Sequence, residues 1–279
     1  MKKVILLLVA TISFVQSSWA GFPIGYGRWM LVPGYNYYNA KGYWDKNSNY
    51  SAYPAGNFSS HYFSLYGGYG LSRNVNFMFN LPFVIQNDNN TSNTNKIYQS
   101  YGLGDAMLGL SYYFNDFDAL NHVSLTGSLI IPLYSNRGKP YPNIGYQAVG
   151  TEAKLGFSGS ATGGFRNPYY DIEFGVRQYF ATDGPTQIFG SATVGVPLDD
   201  YWKISGTISG VNSFSSTVST STTQVFYNYT KSFDYVRAAF NIGRIINENT
   251  SIWGGLYTDI YGTSEGKGSG VSLSAVFKF

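Results

Sequence analysis

From Arg28 onward the chain is a succession of extended segments in which apolar and polar side chains alternate. The links between these segments are alternately long and short. Val75–Gln86 shows the pattern most clearly: Val75, Phe77, Phe79, Leu81, Phe83 and Ile85 share one face of a strand. In His122–Leu133, Val123, Leu125, Leu129 and Ile131 oppose Ser124, Thr126 and Ser128. The other predicted strands are Arg28–Lys41, Phe58–Gly70, Tyr101–Asn115, Glu152–Phe165, Tyr169–Ala181, Gln187–Pro197, Trp202–Phe214, Thr230–Gly243, Ser251–Gly262 and a closing strand from Gly270.

Long polar links fall at Gly42–Asn57, Asn87–Ser100, Tyr134–Gly150 and Ser213–Gln224. Tight turns fall at Leu71–Asn74, Asp116–Asp118, Arg166–Pro168, Leu198–Asp200 and Ile246–Asn249, and Gly266–Gly268 is read as the last link. A soluble sandwich has no reason to alternate long with short. A barrel crossing a bilayer does, with long loops outside the cell and short turns in the periplasm. About twelve strands of ten to fourteen residues are predicted. That slightly exceeds what a tilted strand needs to cross the hydrocarbon, and an even number leaves both ends on one side.

The final ten residues fit the same scheme. Val271, Leu273, Ala275, Phe277 and Phe279 share one face, with Ser272, Ser274, Val276 and Lys278 on the other. A strand ending on aromatics is expected to close the barrel. Phe277 and Phe279 are predicted to serve as an assembly signal for the outer-membrane barrel-assembly machinery. At the opposite end, Lys2 and Lys3, the apolar run Val4–Val15 and Ser18-Trp19-Ala20 have the form of a signal peptide. The expected division is a leader over residues 1–20 and a barrel over 21–279.

Past Ala20 no apolar run approaches the ~18–20 residues a membrane helix needs; Leu129-Ile130-Ile131 stops at Pro132. Mean hydropathy is −0.13 although 44% of residues are hydrophobic and only 12% charged. Those values suit strands apolar on one face only. Losing Lys2 and Lys3 with the leader lowers the net charge from +3 to about +1. The remaining Lys and Arg are scattered, so nucleic acid is not an expected partner. With no Cys, and His61 far from His122, neither a disulfide framework nor a Cys/His metal site is expected. No cofactor motif is present; Gly102-x-Gly104 lacks the following Lys and helix of a phosphate loop.

Aromatic residues gather near strand ends: Tyr35, Tyr37 and Tyr38; Tyr112, Tyr113 and Phe114; Tyr169 and Tyr170; Tyr201 and Trp202; Trp253. In a barrel they are expected to form interfacial girdles. Strand parity turns Asp105, Glu152, Lys154, Asp171, Glu173, Arg177, Lys203, Arg237 and Asp259 inward, because a charge on the lipid face costs about 2–4 kcal/mol near the midplane. Tyr66, Tyr113, Tyr179 and Tyr257 share that direction and could stack on an aromatic solute. The charges have two readings: pairs bracing a narrow lumen, or the lining of a solute path.

The stretch Tyr101-Gly102-Leu103-Gly104-Asp105-Ala106-Met107-Leu108-Gly109-Leu110-Ser111-Tyr112, preceded by Asn80-Leu81-Pro82-Phe83-Val84, resembles the outer-membrane family labelled as meta-pathway phenol-degradation proteins. The resemblance implies a barrel of about this size with a transport role for small, often aromatic, compounds. It brings no catalytic residues. A barrel lipid hydrolase would use a His and a Ser two apart on one strand face, as in His122-Val123-Ser124. That pair is predicted to point inward near a short turn, with no acidic or amide residue identifiable to orient the imidazole.

The sequence therefore predicts an all-β transmembrane antiparallel barrel in a Gram-negative outer membrane. Its expected role is passage of small solutes, with surface contacts through the long loops as the alternative. Outer-membrane lipid is the expected surrounding partner.

Overall fold

The computed structural model describes residues 21–53, 56–89, 98–118, 121–136, 142–161, 166–216 and 231–279. Residues 1–20, where a leader is expected, and most of the Asn87–Ser100 and Ser213–Gln224 segments lie outside the described residues. Fourteen strands form one sheet: β1 Trp29–Trp44, β2 Tyr50–Ala52, β3 Phe58–Gly70, β4 Val75–Asp88, β5 Tyr98–Leu103, β6 Asp105–Asp118, β7 Asn121–Pro132, β8 Gly150–Ser160, β9 Tyr169–Tyr179, β10 Thr186–Pro197, β11 Trp202–Phe214, β12 Phe233–Asn247, β13 Thr250–Thr263 and β14 Glu265–Lys278. Every neighbouring pair is antiparallel, and β14 returns to β1 from Met30↔Lys278 to Trp44↔Glu265. The barrel wall thus closes on itself, the condition for crossing hydrocarbon with strands.

The wall has twelve staves. β2 is a flap on the end of β1. β5 and β6 form one stave, pairing successive parts of β4 (Phe83–Asp88, then Val75–Asn80). At their junction Leu103↔Phe83 is followed by Met107↔Asn80, one residue more than β4 supplies, so the wall carries a bulge here. Pro82 sits opposite, and the Gly104 amide donates to its carbonyl at 2.9 Å. A Cβ on Gly104 would stand 3.0 Å from the Pro82 ring. The Gly-Leu-Gly-Asp stretch is therefore the place where the wall bends.

The outer face is apolar. Leu108, Leu110, Leu129, Phe174, Phe240, Leu256 and Leu273 are all exposed, while Asn76, Ser111, Thr126, Asp171, Asn241 and Ser272 on the opposite faces are buried. This is the inverse of a water-soluble protein and the arrangement lipid requires. The short turns share one chemistry. Ser72 Oγ accepts from the Asn74 and Val75 amides at 3.2 and 3.1 Å. Asp199 Oδ1 accepts from Tyr201 and Trp202 at 2.7 and 2.6 Å, and Asn247 Oδ1 from Asn249 at 2.9 Å. In each, a side-chain oxygen bonds an amide two residues on.

Three expectations are corrected. Gly266–Gly268 is not a link but part of β14, paired with β1; the chain reverses earlier, at Ser264 (φ 54°). The strand predicted to run to Phe165 ends at Ser160. The aromatic residues do not all join a girdle. Tyr112, Phe114, Tyr201 and Trp202 face outward, but Tyr113 and Trp253 are buried inside the barrel, and Tyr38 bonds interior groups. Clustering near strand ends located the aromatics without fixing their face, which alternates with every residue.

Candidate functional site

The interior divides into two parts. Toward the short-turn end, Met30, Val32, Met78, Trp253 and Val276 form an apolar cluster across the lumen, with Ile24, Tyr66 and Tyr169 packed against it. Ile24 belongs to a segment that precedes β1 and turns back into the barrel. Gly25 (φ 94°) and Gly27 (φ 73°) make that reversal, in a backbone region that favours glycine. The Gly27 amide donates to the Gly70 carbonyl at 2.9 Å. Gly68 and Gly70 of β3 leave the space: a Cβ there would lie 2.7 Å from Ile24 Cδ1 and 1.8 Å from the Gly25 oxygen. Beyond Ile24, the Phe22 carbonyl accepts from the Tyr113 hydroxyl at 3.4 Å, and the Phe22 ring meets His122 edge-on at 5.6 Å.

Above this floor lies a cavity of about 920 Å³. It reaches from Tyr53, Asp183 and Lys231 at the long-loop end to Ser124, Lys154 and Asp171 deep in the barrel. Of the inward residues expected from parity, Tyr66, Asp105, Glu152, Lys154, Asp171, Glu173, Arg177 and Tyr179 line it. Arg177 Nη2 bonds Glu152 Oε2 at 2.6 Å, and Lys154 Nζ bonds Glu173 Oε1 at 2.6 Å. The wall below therefore holds two ion pairs side by side on β8 and β9.

The remaining five sit elsewhere in the interior. Arg237 bonds Asp259 at 2.7 Å and lies over the Tyr257 ring at 4.5 Å; Tyr38 donates to the same carboxylate at 2.8 Å. This knot ties β12, β13 and β1 together. Tyr113 is buried against Phe22, and Lys203 stands over the Tyr169 ring at 5.9 Å. His122 and Ser124 both point inward, Ser124 into the cavity.

Several lining residues were not singled out from the sequence. Tyr62 precedes Tyr66 by four residues on β3, and Gln187 and Phe189 share the inward face of β10; parity alone could have found them. Tyr146 could not be found that way. It comes from the loop between β7 and β8, which folds inward so that Tyr146 meets Tyr179 at 4.7 Å and accepts from Gln187 Nε2 at 3.1 Å. Lys231 stands over the Tyr146 ring at 5.8 Å and is paired with Asp183. That pairing holds the Asp183 carboxyl below its ordinary value, chiefly through the hydrogen bond from Lys231. In the inward loop, burial and then the Asp105 charge push the Tyr134 phenol up.

No family model and no curated protein matches the sequence. Among solved structures, the fold is similar to an outer membrane channel from Pseudomonas putida F1 (TM-score 0.73, 10% identity, 96% of this chain and 100% of that one). It is also similar to the NanC porin (TM-score 0.52, 9% identity, 89% of this chain and 100% of that one). At these identities the likeness is one of fold. With the closed wall and the lipid-facing belt, it places the chain in the outer membrane of a Gram-negative bacterium.

Proposed function

We propose that the barrel is a selective entry channel for small solutes that carry both an apolar or aromatic body and a polar group. The observation that carries this is the cavity itself. It opens among the long loops, and its wall joins tyrosine and phenylalanine rings (Tyr62, Tyr66, Tyr179, Phe189) to the Lys154–Glu173 and Arg177–Glu152 pairs. Rings offer stacking surface and the paired charges offer hydrogen bonds, the usual composition of a small-molecule site. The likeness in fold to a Pseudomonas putida channel and the resemblance of the Gly-Leu-Gly-Asp stretch to the phenol-degradation family support the reading. Phenolic compounds are the first class to test.

Passage is favoured over catalysis because His122, of the only His-x-Ser spacing in the sequence, is packed edge-on against the Phe22 ring. The bracing role of the charges is compatible with passage, since each pair both ties strands and faces the cavity.

The test is planar-bilayer recording of the refolded chain 21–279. Discrete conductance steps that phenol shortens or blocks are expected. A silent bilayer, from protein shown to be folded by its heat-sensitive migration in detergent gels, would sink the proposal.

A further inference from the structure

Gly21 is buried in the barrel wall's interior angle between β8 and β9, where Ser158 and Asp171 are ladder partners. A Cβ on Gly21 would fall 1.5 Å from Ser158 Oγ and 2.6 Å from Asp171 Oδ1. No side chain fits at this position. The Gly21 nitrogen is two bonds from that Cβ position, so it lies within about 5 Å of the Asp171 carboxylate.

Asp171 is a costly residue to leave there. It is 6% exposed, and it accepts a hydrogen bond from the Ser158 hydroxyl at 2.7 Å. It makes no ion pair among the described residues. The two cations nearby are each in an ion pair, Lys154 with Glu173 and Arg177 with Glu152, and Lys154 is shared electrostatically between Glu173 and Asp171. This stretch of the β8–β9 wall therefore carries three carboxylates against two cations. A carboxylate this buried is destabilised when its charge is not balanced, and this wall is one positive charge short.

We infer that the missing charge is the chain's own α-ammonium, set free at Gly21 by cleavage after Ala20, and that Asp171 is its docking site. The inference rests on the leader expected over residues 1–20 and is independent of whether the barrel conducts. Before cleavage the Gly21 nitrogen is a neutral amide and offers Asp171 no charge. After cleavage it is an ammonium at neutral pH, and the pair balances the wall. The residues that follow are held by the barrel itself, Phe22 against His122 and Ile24 in the apolar floor, so Gly21 is presented to Asp171 whether or not the bond before it is cut. Processing thus does more than release the chain from its leader: it supplies Asp171 with a counter-charge.

The absence of a side chain at Gly21 and the glycines at 25 and 27 are what let the segment arrive. Any larger residue at 21 would displace Ser158, and a residue with a Cβ at 25 or 27 would resist the reversal.

The test is reactivity of the α-amine in the protein purified from outer membranes. Mass spectrometry first establishes that the chain starts at Gly21. The folded barrel is then treated with 2-pyridinecarboxaldehyde, a reagent selective for N-terminal amines, and compared with the heat-unfolded chain. Labelling about tenfold slower or more in the folded state is expected, from burial of the amine. Asp171→Asn keeps the shape and the acceptor for Ser158 but removes the charge, and should label at nearly the unfolded rate while still migrating as a folded barrel. Asp200→Asn, in an exposed turn, should leave the rate unchanged.

Two alanines inserted before Gly21 move the charge without touching the wall. They should also restore fast labelling, and they decide the matter alone if Asp171→Asn does not fold. A mature chain starting elsewhere overturns the inference. So does a wild-type terminus that labels as fast folded as unfolded, or a slow rate that persists in Asp171→Asn or in the extended chain. None of these outcomes depends on conductance.

Discussion

Arg177 Nη2 meets Glu152 Oε2 at 2.6 Å directly across the β8–β9 ladder, where the register sets the two residues opposite one another. The neighbouring Lys154–Glu173 pair is diagonal: Lys154 faces Gly175, and Glu173 faces Gly156. The direct pair has its strands already aligned, so its geometry depends on one side chain reaching and the other receiving.

Removing Arg177 alone should therefore cost more than removing both partners. Glu152 is only 8% exposed, and Arg177→Met leaves its carboxylate without a cation. A loss of about 1–3 kcal/mol is expected, below the fully buried figure because the cavity admits water. Glu152→Gln with Arg177→Met should recover most of that loss. Urea unfolding of the two variants and the double variant in lipid vesicles gives the coupling, and purely additive effects would contradict the pairing.

The lipid face predicts a depth profile. Leu256, midway along β13, is 64% exposed and lies level with Phe240 and Val271 on its neighbours. Leu256→Arg should cost about 2–4 kcal/mol, while Ile246→Arg, beside a short turn, should cost about 0–1 kcal/mol. Equal losses at both sites, measured by the same unfolding assay, would mean that this face does not meet hydrocarbon.

The architecture was legible because period-two alternation is a local property that survives in the sequence. Val75 to Ile85 displays its outward face without any knowledge of its neighbours. The bend at Gly104 was visible as a motif but not as a bulge, since that requires counting residues on β4 against β5 and β6. Among the inward residues, parity gave direction without depth. It grouped Arg237 and Asp259 with Glu152, although the first two are bound up in a knot with Tyr257 and Tyr38, of which Tyr38 alone reaches the cavity lining. Tyr146 and Gly21 escaped altogether. Each is brought inward by a segment outside the regular strands, and nothing periodic announces such a path.

The Asp183–Lys231 tie at the mouth should respond to acid. Lys231 holds the Asp183 carboxyl below its ordinary value. The sign follows: the tie is complete above the unperturbed value of about 4 and is lost as pH falls through the lower, folded value. A carbon-13 titration of the Asp183 carboxyl should show a midpoint below about 3.9 in the wild type and a return toward it in Lys231→Met. Identical midpoints in the two proteins would remove the tie.

Trp253 of β13 fills the floor of the barrel. It is 4% exposed within the cluster of Met30, Val32, Met78 and Val276, and its Nε1 donates to Ser251 Oγ at 3.1 Å. Gly243 on β12 lies flat against its ring, and a Cβ there would come within 2.4 Å. The indole thus fills space that no neighbour can fill in its place. Trp253→Ala should cost about 3–5 kcal/mol, as large-to-small changes in packed interiors do. Trp253→Phe should keep most of the volume and lose only the Ser251 bond, about 1 kcal/mol. If the cluster is the barrier to ion flow, Trp253→Ala should also raise single-channel conductance while Trp253→Phe leaves it near the wild-type level. A conductance unchanged in Trp253→Ala, from protein that still folds, would move the barrier up to the loop that carries Tyr146.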